Sequence, residues 1–316
     1  MAVVWTDTIQ ALILFFGFIL MAGMALFRIG GMEGLQMAMG KDPFIFLQGD
    51  RLLPSISLAF VIFVGVMATP AYRQRIYSSD TPQTVRRSFY WSGSLYLLFS
   101  VFPAIIGIAA YQFDPGLANS NFAFPFLATE VLPVGAGLIV LIAGLSATMS
   151  SASSDAIAGV SILLRDIFIL VTGQMPDKAK SVQYSRWGLI GITGLALLFT
   201  LYSTDIIDYI KYMIALIMSG LFVCSLLGRY WARATWQGGI ACLVGGAFCS
   251  LVIINVDAWN SYWGNPAIPS VLTAAVAGVV VSLLTPANTV SSSEALKILR
   301  EERQLMEMTK EVEGGQ

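Results

Sequence analysis

Apolar residues run along this chain in stretches long enough to cross a bilayer, whose core takes about 20 mostly apolar residues per helix. They fall at roughly 4–28, 53–72, 89–112, 132–164, 185–202, 206–227, 236–256 and 267–285. Charge clusters, Gly and Pro separate them, and Trp91, Trp187, Trp231, Trp236 and Trp263 stand at their edges, where indole rings favour the membrane interface. The pattern predicts an all-α, polytopic membrane protein of about eight transmembrane helices, with a transmembrane domain over 1–290 and a tail over 291–316. Ser291 to Glu294 has capping-box spacing, so the tail is expected to be a charged cytoplasmic helix to about Val312. The segment 30–50, rich in Gly and Met, is expected to lie partly along the outer surface. The segment 112–133, with Asn119, Asn121, Phe122 and Phe124, is expected to fold back as a short lid helix.

Composition agrees: 56% of residues are hydrophobic and 12% charged, against about 25% charged in a soluble domain. No secretory signal is expected at the start, because Met1 to Trp5 lacks a basic region and the apolar run that follows is too long. The basic residues decide orientation. With both termini inside, the inner segments hold Arg73, Arg75, Arg86, Arg87, Arg165, Lys178, Lys180, Arg186, Arg229, Arg233, Lys297, Arg300, Arg303 and Lys310; the outer loops hold only Arg28, Lys41 and Arg51. The positive-inside rule therefore predicts cytoplasmic N- and C-termini. A net charge of −1 with no basic face argues against nucleic acid, and the absence of histidine removes Ser-His-Asp chemistry and His-based metal sites. Cys224, Cys242 and Cys249 lie in apolar stretches without C-x-x-C spacing and read as buried small residues. No enzyme is expected.

The fourth span carries a hydroxyl-rich run from Gly144 to Asp155. Ala147, Ser150, Ser151 and Ser154 fall at i, i+3, i+4 and i+7, hence on one face of a helix. Ser153 flanks that face near Ser150, and Asp155 lies on the other flank about 12 Å along from Ala147, at 1.5 Å per residue. Two accounts stay open: close helix packing through small residues, or binding of a hard cation, which takes several neutral or anionic oxygens. Asp7 sits just inside the first span with Gln10 on the same face, and is either a helix cap or a functional intramembrane carboxylate. Asp208 and Lys211, at i and i+3, read as an ion pair at the start of the sixth span beside Asp205. Pro54, Gly65 and Pro70 are compatible with an interrupted second helix or with ordinary termination.

At these residues the chain resembles the sodium:solute symporter family, whose members carry proline, pantothenate, sialic acid, iodide or glucose with sodium. The matching stretches are VVWTDTIQ at 3–10, ATPAYRQRIYSSDTPQTVRRS at 68–88, LSATMSSASSD at 145–155 and LLRDIF at 163–168. The resemblance implies an inverted-repeat (5+5) transporter fold. The first span would be the fifth core helix, residues 53–227 the second repeat, and the last two spans additional C-terminal helices. The first four core helices of the same carrier would then be missing partners. It also implies two sodium sites, with sodium as coupling ion and no other cofactor. The first maps to Ala147, Ser150 and Ser151; the second maps to Asp7, Gln10, Ser153 and Ser154. Many relatives carry an aromatic residue and a glutamine just before the proline equivalent to Pro70, whereas this chain has Val66-Met67-Ala68-Thr69, so the solute stays open.

The function expected is sodium-coupled symport of a small organic solute into the cell, across a plasma membrane of the bacterial inner-membrane kind. The alternatives are a membrane sensor or receptor with a carrier-like fold, or an inactive truncated transporter fragment.

Overall fold

A computed structural model describes residues 2–39, 49–117, 119–173, 176–202 and 206–287, together with Glu294, Lys297, Ile298 and Glu301. The described residues form helices and turns, with no strand among them. In chain order the α-helices are α1 (Ala2–Arg28), α2 (Gly31–Met39), α3 (Leu52–Ala68), α4 (Pro70–Tyr77), α5 (Pro82–Phe99), α6 (Val101–Phe113), α7 (Ala123–Phe126), α8 (Val134–Ile162), α9 (Ile169–Thr172), α10 (Lys178–Tyr202), α11 (Ile206–Met213), α12 (Ser219–Tyr230), α13 (Trp236–Ile254), α14 (Asp257–Trp263) and α15 (Ala267–Leu284). Among the described residues, eight helical runs are long and apolar enough to cross a membrane, as the apolar pattern predicts.

Span boundaries differ from the sequence reading wherever a helix bends or breaks. The second span stops at Ala68 rather than at residue 72. Thr69 leaves helical geometry at ψ 127°, as expected of a residue before proline, and Pro70 opens α4. The third run begins at Pro82 rather than 89, because Thr81 caps it by accepting a hydrogen bond from the Thr84 amide (3.1 Å) and Pro82 needs no amide partner in the first turn. It is interrupted at Ser100, between α5 and α6. The fourth continues beyond residue 164 to Thr172, through a π-helical segment at Leu163–Phe168, and ends where Gly173 takes a left-handed φ of 74°. Within 112–133 the chain forms α7, preceded by a 3₁₀ turn at Ser120–Phe122 and followed by a π segment at Leu127–Val131. The 30–50 segment contains α2; its residues 40–48, Asp205, and most of the expected tail helix lie outside the described residues.

Contacts divide the chain into two compact units, each assembled from separate stretches. The first takes residues 1–45 and 70–206. Its core is built where α1 packs on α8 and α6: Met21, Ala25, Ala109, Leu127 and Val140 are fully enclosed, and Phe15, Phe18, Phe99, Phe102 and Phe124 form a chain of ring contacts with centroids 4.7–5.8 Å apart. The second unit takes residues 46–69 and 207–316. There α12, α13 and α15 pack tightly through Gly220, Gly246, Cys242 and Ala274, and Ser250 and Ser270 share a buried hydrogen bond of 2.7 Å. Lys211 pairs with Asp208 in α11, as their spacing predicts.

Candidate cation site

The first unit brings one acidic side chain of α1 against the hydroxyl stripe of α8. The two helices meet with almost no side chain between them at Gly17, where an added Cβ would lie 2.1 Å from the Ala143 Cβ. Glycine is required here by close approach, since any larger residue would push the helices apart. Further along the same crossing, Asp7 reaches the serines. The Ser150 hydroxyl donates to Asp7 Oδ1 (2.8 Å) and the Ser154 hydroxyl donates to Asp7 Oδ2 (3.0 Å). The pairing uses the α8 residues four apart that the helical period places on one face. Asp7 is thus neither a simple helix cap nor a bare carboxylate.

A third element closes the group. Arg75, on α4, donates from Nη2 to Asp7 Oδ2 (3.2 Å) and from the same nitrogen to Ser154 Oγ (3.0 Å). Asp7 is 18% exposed and Arg75 54% exposed, so the carboxylate sits inside the cluster and the guanidinium at its rim. The end of α4 is fixed locally, with the Ser78 and Ser79 hydroxyls donating to the Arg75 carbonyl (2.9 and 3.4 Å). Tyr72 lies on the same short helix, half-buried. Burial pushes its phenol above the ordinary tyrosine value, with Tyr96 and Asp155 adding to the effect and Arg75 opposing it.

Ser153 turns its hydroxyl back to its own helix, donating to the Met149 carbonyl (2.9 Å) and the Ser150 carbonyl (3.1 Å). Gln10 is part-buried, and its Oε1 is enclosed without a hydrogen-bond partner, an orphaned acceptor next to the Asp7 turn. Ala147 is half-buried, and Ser151 is exposed on α8. Ser150, mapped to the first site, engages the carboxylate mapped to the second, so the two sets of residues are in direct contact. Arg75 is the group that sequence reading missed. Its signal in the sequence is the cationic Arg73-Gln74-Arg75 run that follows Pro70-Ala71-Tyr72, which enters the sequence reading only as orientation charge.

No group of three or more Cys, Asp or Glu residues gathers among the described residues. The oxygens available are one carboxylate, several serine hydroxyls and an amide carbonyl, a donor set that suits a hard cation better than a transition metal.

The profile of the sodium:solute symporter family matches residues 1–246. Among curated proteins, the chain is 25% identical to a sodium/glucose cotransporter of Vibrio parahaemolyticus, covering 76% of this chain and 50% of that protein. It is 28% identical to an osmoregulated proline transporter of Bacillus subtilis, over 60% of this chain and 39% of the relative. It is 24% identical to a sodium/pantothenate symporter of Haemophilus influenzae, over 88% of this chain and 59% of the relative. The chain thus spans about half the length of the curated relatives it matches.

Proposed function

Because the chain belongs to the sodium:solute symporter family, we propose that it takes part in sodium-coupled symport of a small organic solute into the cell. Eight apolar helices and this family make it a multi-pass membrane protein. The observation that carries the functional reading is the Asp7 carboxylate held by Ser150 and Ser154 on the serine face of α8. A carboxylate at the centre of a membrane helix costs about 2.5–3.5 kcal/mol on insertion scales, so it is retained where it pairs or works.

In this reading sodium is a transported substrate. The second site uses Asp7, Gln10, Ser153 and Ser154, and the enclosed, unpartnered Gln10 Oε1 supports a role for that amide as a further oxygen ligand. The first site uses Ala147, Ser150 and Ser151. The fold proposed is the inverted repeat, with α1 as the fifth core helix, 53–227 as the second repeat and the final two spans as additions; the relatives' greater length supports completion by further helices of the same carrier. The basic segments support cytoplasmic termini in a plasma membrane of the bacterial inner-membrane kind. A ligand bound together with sodium shifts the same equilibrium from both sides, so sodium raises solute affinity and solute raises sodium affinity equally. Each charge moved adds about 2.3 kcal/mol per 100 mV to the driving force.

The test is binding of radioactive sodium to the purified chain, with uptake of proline, pantothenate and glucose into proteoliposomes alongside. Ser150→Ala combined with Ser151→Ala should lower sodium affinity at least tenfold and abolish sodium dependence of any uptake seen. Unchanged sodium dependence in the double variant would remove the proposed first site.

A further inference from the structure

Arg75 makes contacts that binding of sodium by Asp7 does not explain. Its guanidinium takes hydrogen bonds to Asp7 Oδ2 and Ser154 Oγ, two of the oxygens assigned above to a cation. Asp7 Oδ1 already accepts from Ser150, and Oδ2 already accepts from Ser154. Ser154 Oγ therefore donates its proton to the carboxylate and commits a lone pair to the arginine, and a hydroxyl has only two such pairs. The charge count is equally tight. Asp7 and Arg75 neutralise one another, so a sodium ion added beside them would face a guanidinium in the same half-buried pocket.

We propose that Arg75 is a tethered cation that competes with sodium for Asp7 and Ser154, so that the ion enters this group of oxygens as the guanidinium leaves it. The proposal rests on the cation reading of Asp7 given above and adds the residue that governs access to it. Three observations fit the role. Arg75 is more than half exposed, so its pair with Asp7 is weakly held and its long side chain has solvent to retreat into. It approaches from α4, not from either helix that carries the oxygens, so it can withdraw without disturbing the α1–α8 crossing. The arginine is also a direct tie of α4 to both α1 and α8, so arrival of sodium is felt by α4 as loss of that tie. The carboxylate then always has one cationic partner, either the protein's own or the transported ion.

The wild-type chain itself gives a readout. Phenylglyoxal modification of Arg75, followed by mass spectrometry, should run several-fold faster in sodium chloride than in choline chloride, because sodium expels the guanidinium from its hydrogen bonds. In Asp7→Asn, Arg75 should react at the same fast rate in both salts. Radioactive sodium should bind to Arg75→Gln about fivefold more tightly than to wild type, the effect of removing one half-exposed ion pair. Arg75→Lys should fall between the two, since a lysine keeps the charge but not the two-point contact. Equal Arg75 reactivity in the two salts, or sodium binding no tighter in Arg75→Gln, overturns the competition. Sodium binding by Asp7→Asn at wild-type affinity would instead overturn the cation reading of Asp7, so the two failures are distinct.

Discussion

At the scale of single residues, Ser154 and Ser150 look alike in sequence and differ in what they hold. Ser150 donates to one carboxylate oxygen of Asp7, whereas Ser154 stands between Asp7 and Arg75 and joins a negative to a positive group. A double-mutant cycle separates them. Combining Ser154→Ala with Arg75→Gln should show a coupling of about 0.5–1 kcal/mol in detergent unfolding, and the Ser150→Ala cycle with Arg75→Gln a smaller one, because Ser150 meets the arginine only through the carboxylate. Equal couplings would mean that the Ser154–Arg75 contact carries nothing. The serine face was legible because a helical period of 3.6 residues fixes which positions share a side, and Asp7 stood out because a charge in an apolar run is costly. Arg75 was not legible for a matching reason. The helical period carries no directional information past the break at Thr69 and Pro70, so no count along the sequence could aim that side chain at Asp7.

At the scale of elements, apolar length identified the spans, while small residues decided how closely they pack. In the second unit an added Cβ on Gly278 would lie 2.2 Å from Cys242 Sγ, and one on Gly238 would lie 1.9 Å from Ser282 Oγ. Between membrane helices this close approach replaces the hydrophobic drive, since lipid tails are as apolar as the side chains. Gly278→Val should therefore separate α13 from α15 and destabilise the chain by about 1–3 kcal/mol. Gly191→Ala in α10, where nothing lies within 4 Å of the added Cβ, should change stability by no more than about 0.5–1 kcal/mol, on the stabilising side. Thermal denaturation in the same detergent compares the two, and similar losses would show that the glycine contacts do not set the packing. The π segments at Leu163–Phe168 and Ile214–Met218 escaped sequence reading because an inserted residue in a helix leaves composition and hydropathy unchanged, whereas the break at Ser100 precedes Pro103, which has no amide to bond the Phe99 carbonyl.

For the whole molecule, hydropathy gave the number of spans but not their grouping, because the two contact units each join stretches far apart in the sequence and apolar periodicity says nothing about which spans meet. Charge, by contrast, acts on the whole chain at once. The segment between α4 and α5 is flanked by Arg73, Arg75, Arg86 and Arg87, while the segment between α6 and α8 contains Asp114 and Glu130 and no lysine or arginine. Lys and Arg resist translocation when they lie close to the ends of a span, so these two segments, on either side of one membrane crossing, should face opposite compartments. The measurement is single-cysteine labelling in intact cells, with Cys224, Cys242 and Cys249 replaced by alanine. A membrane-impermeant maleimide should label Gly116→Cys from outside and reach Ser79→Cys only after the cells are permeabilised. Labelling of Ser79→Cys in intact cells would place the arginine-bearing end of α4 outside. Sodium would then meet Arg75 on entering from the medium rather than on leaving into the cell, and the direction in which the arginine and the ion exchange places would be reversed.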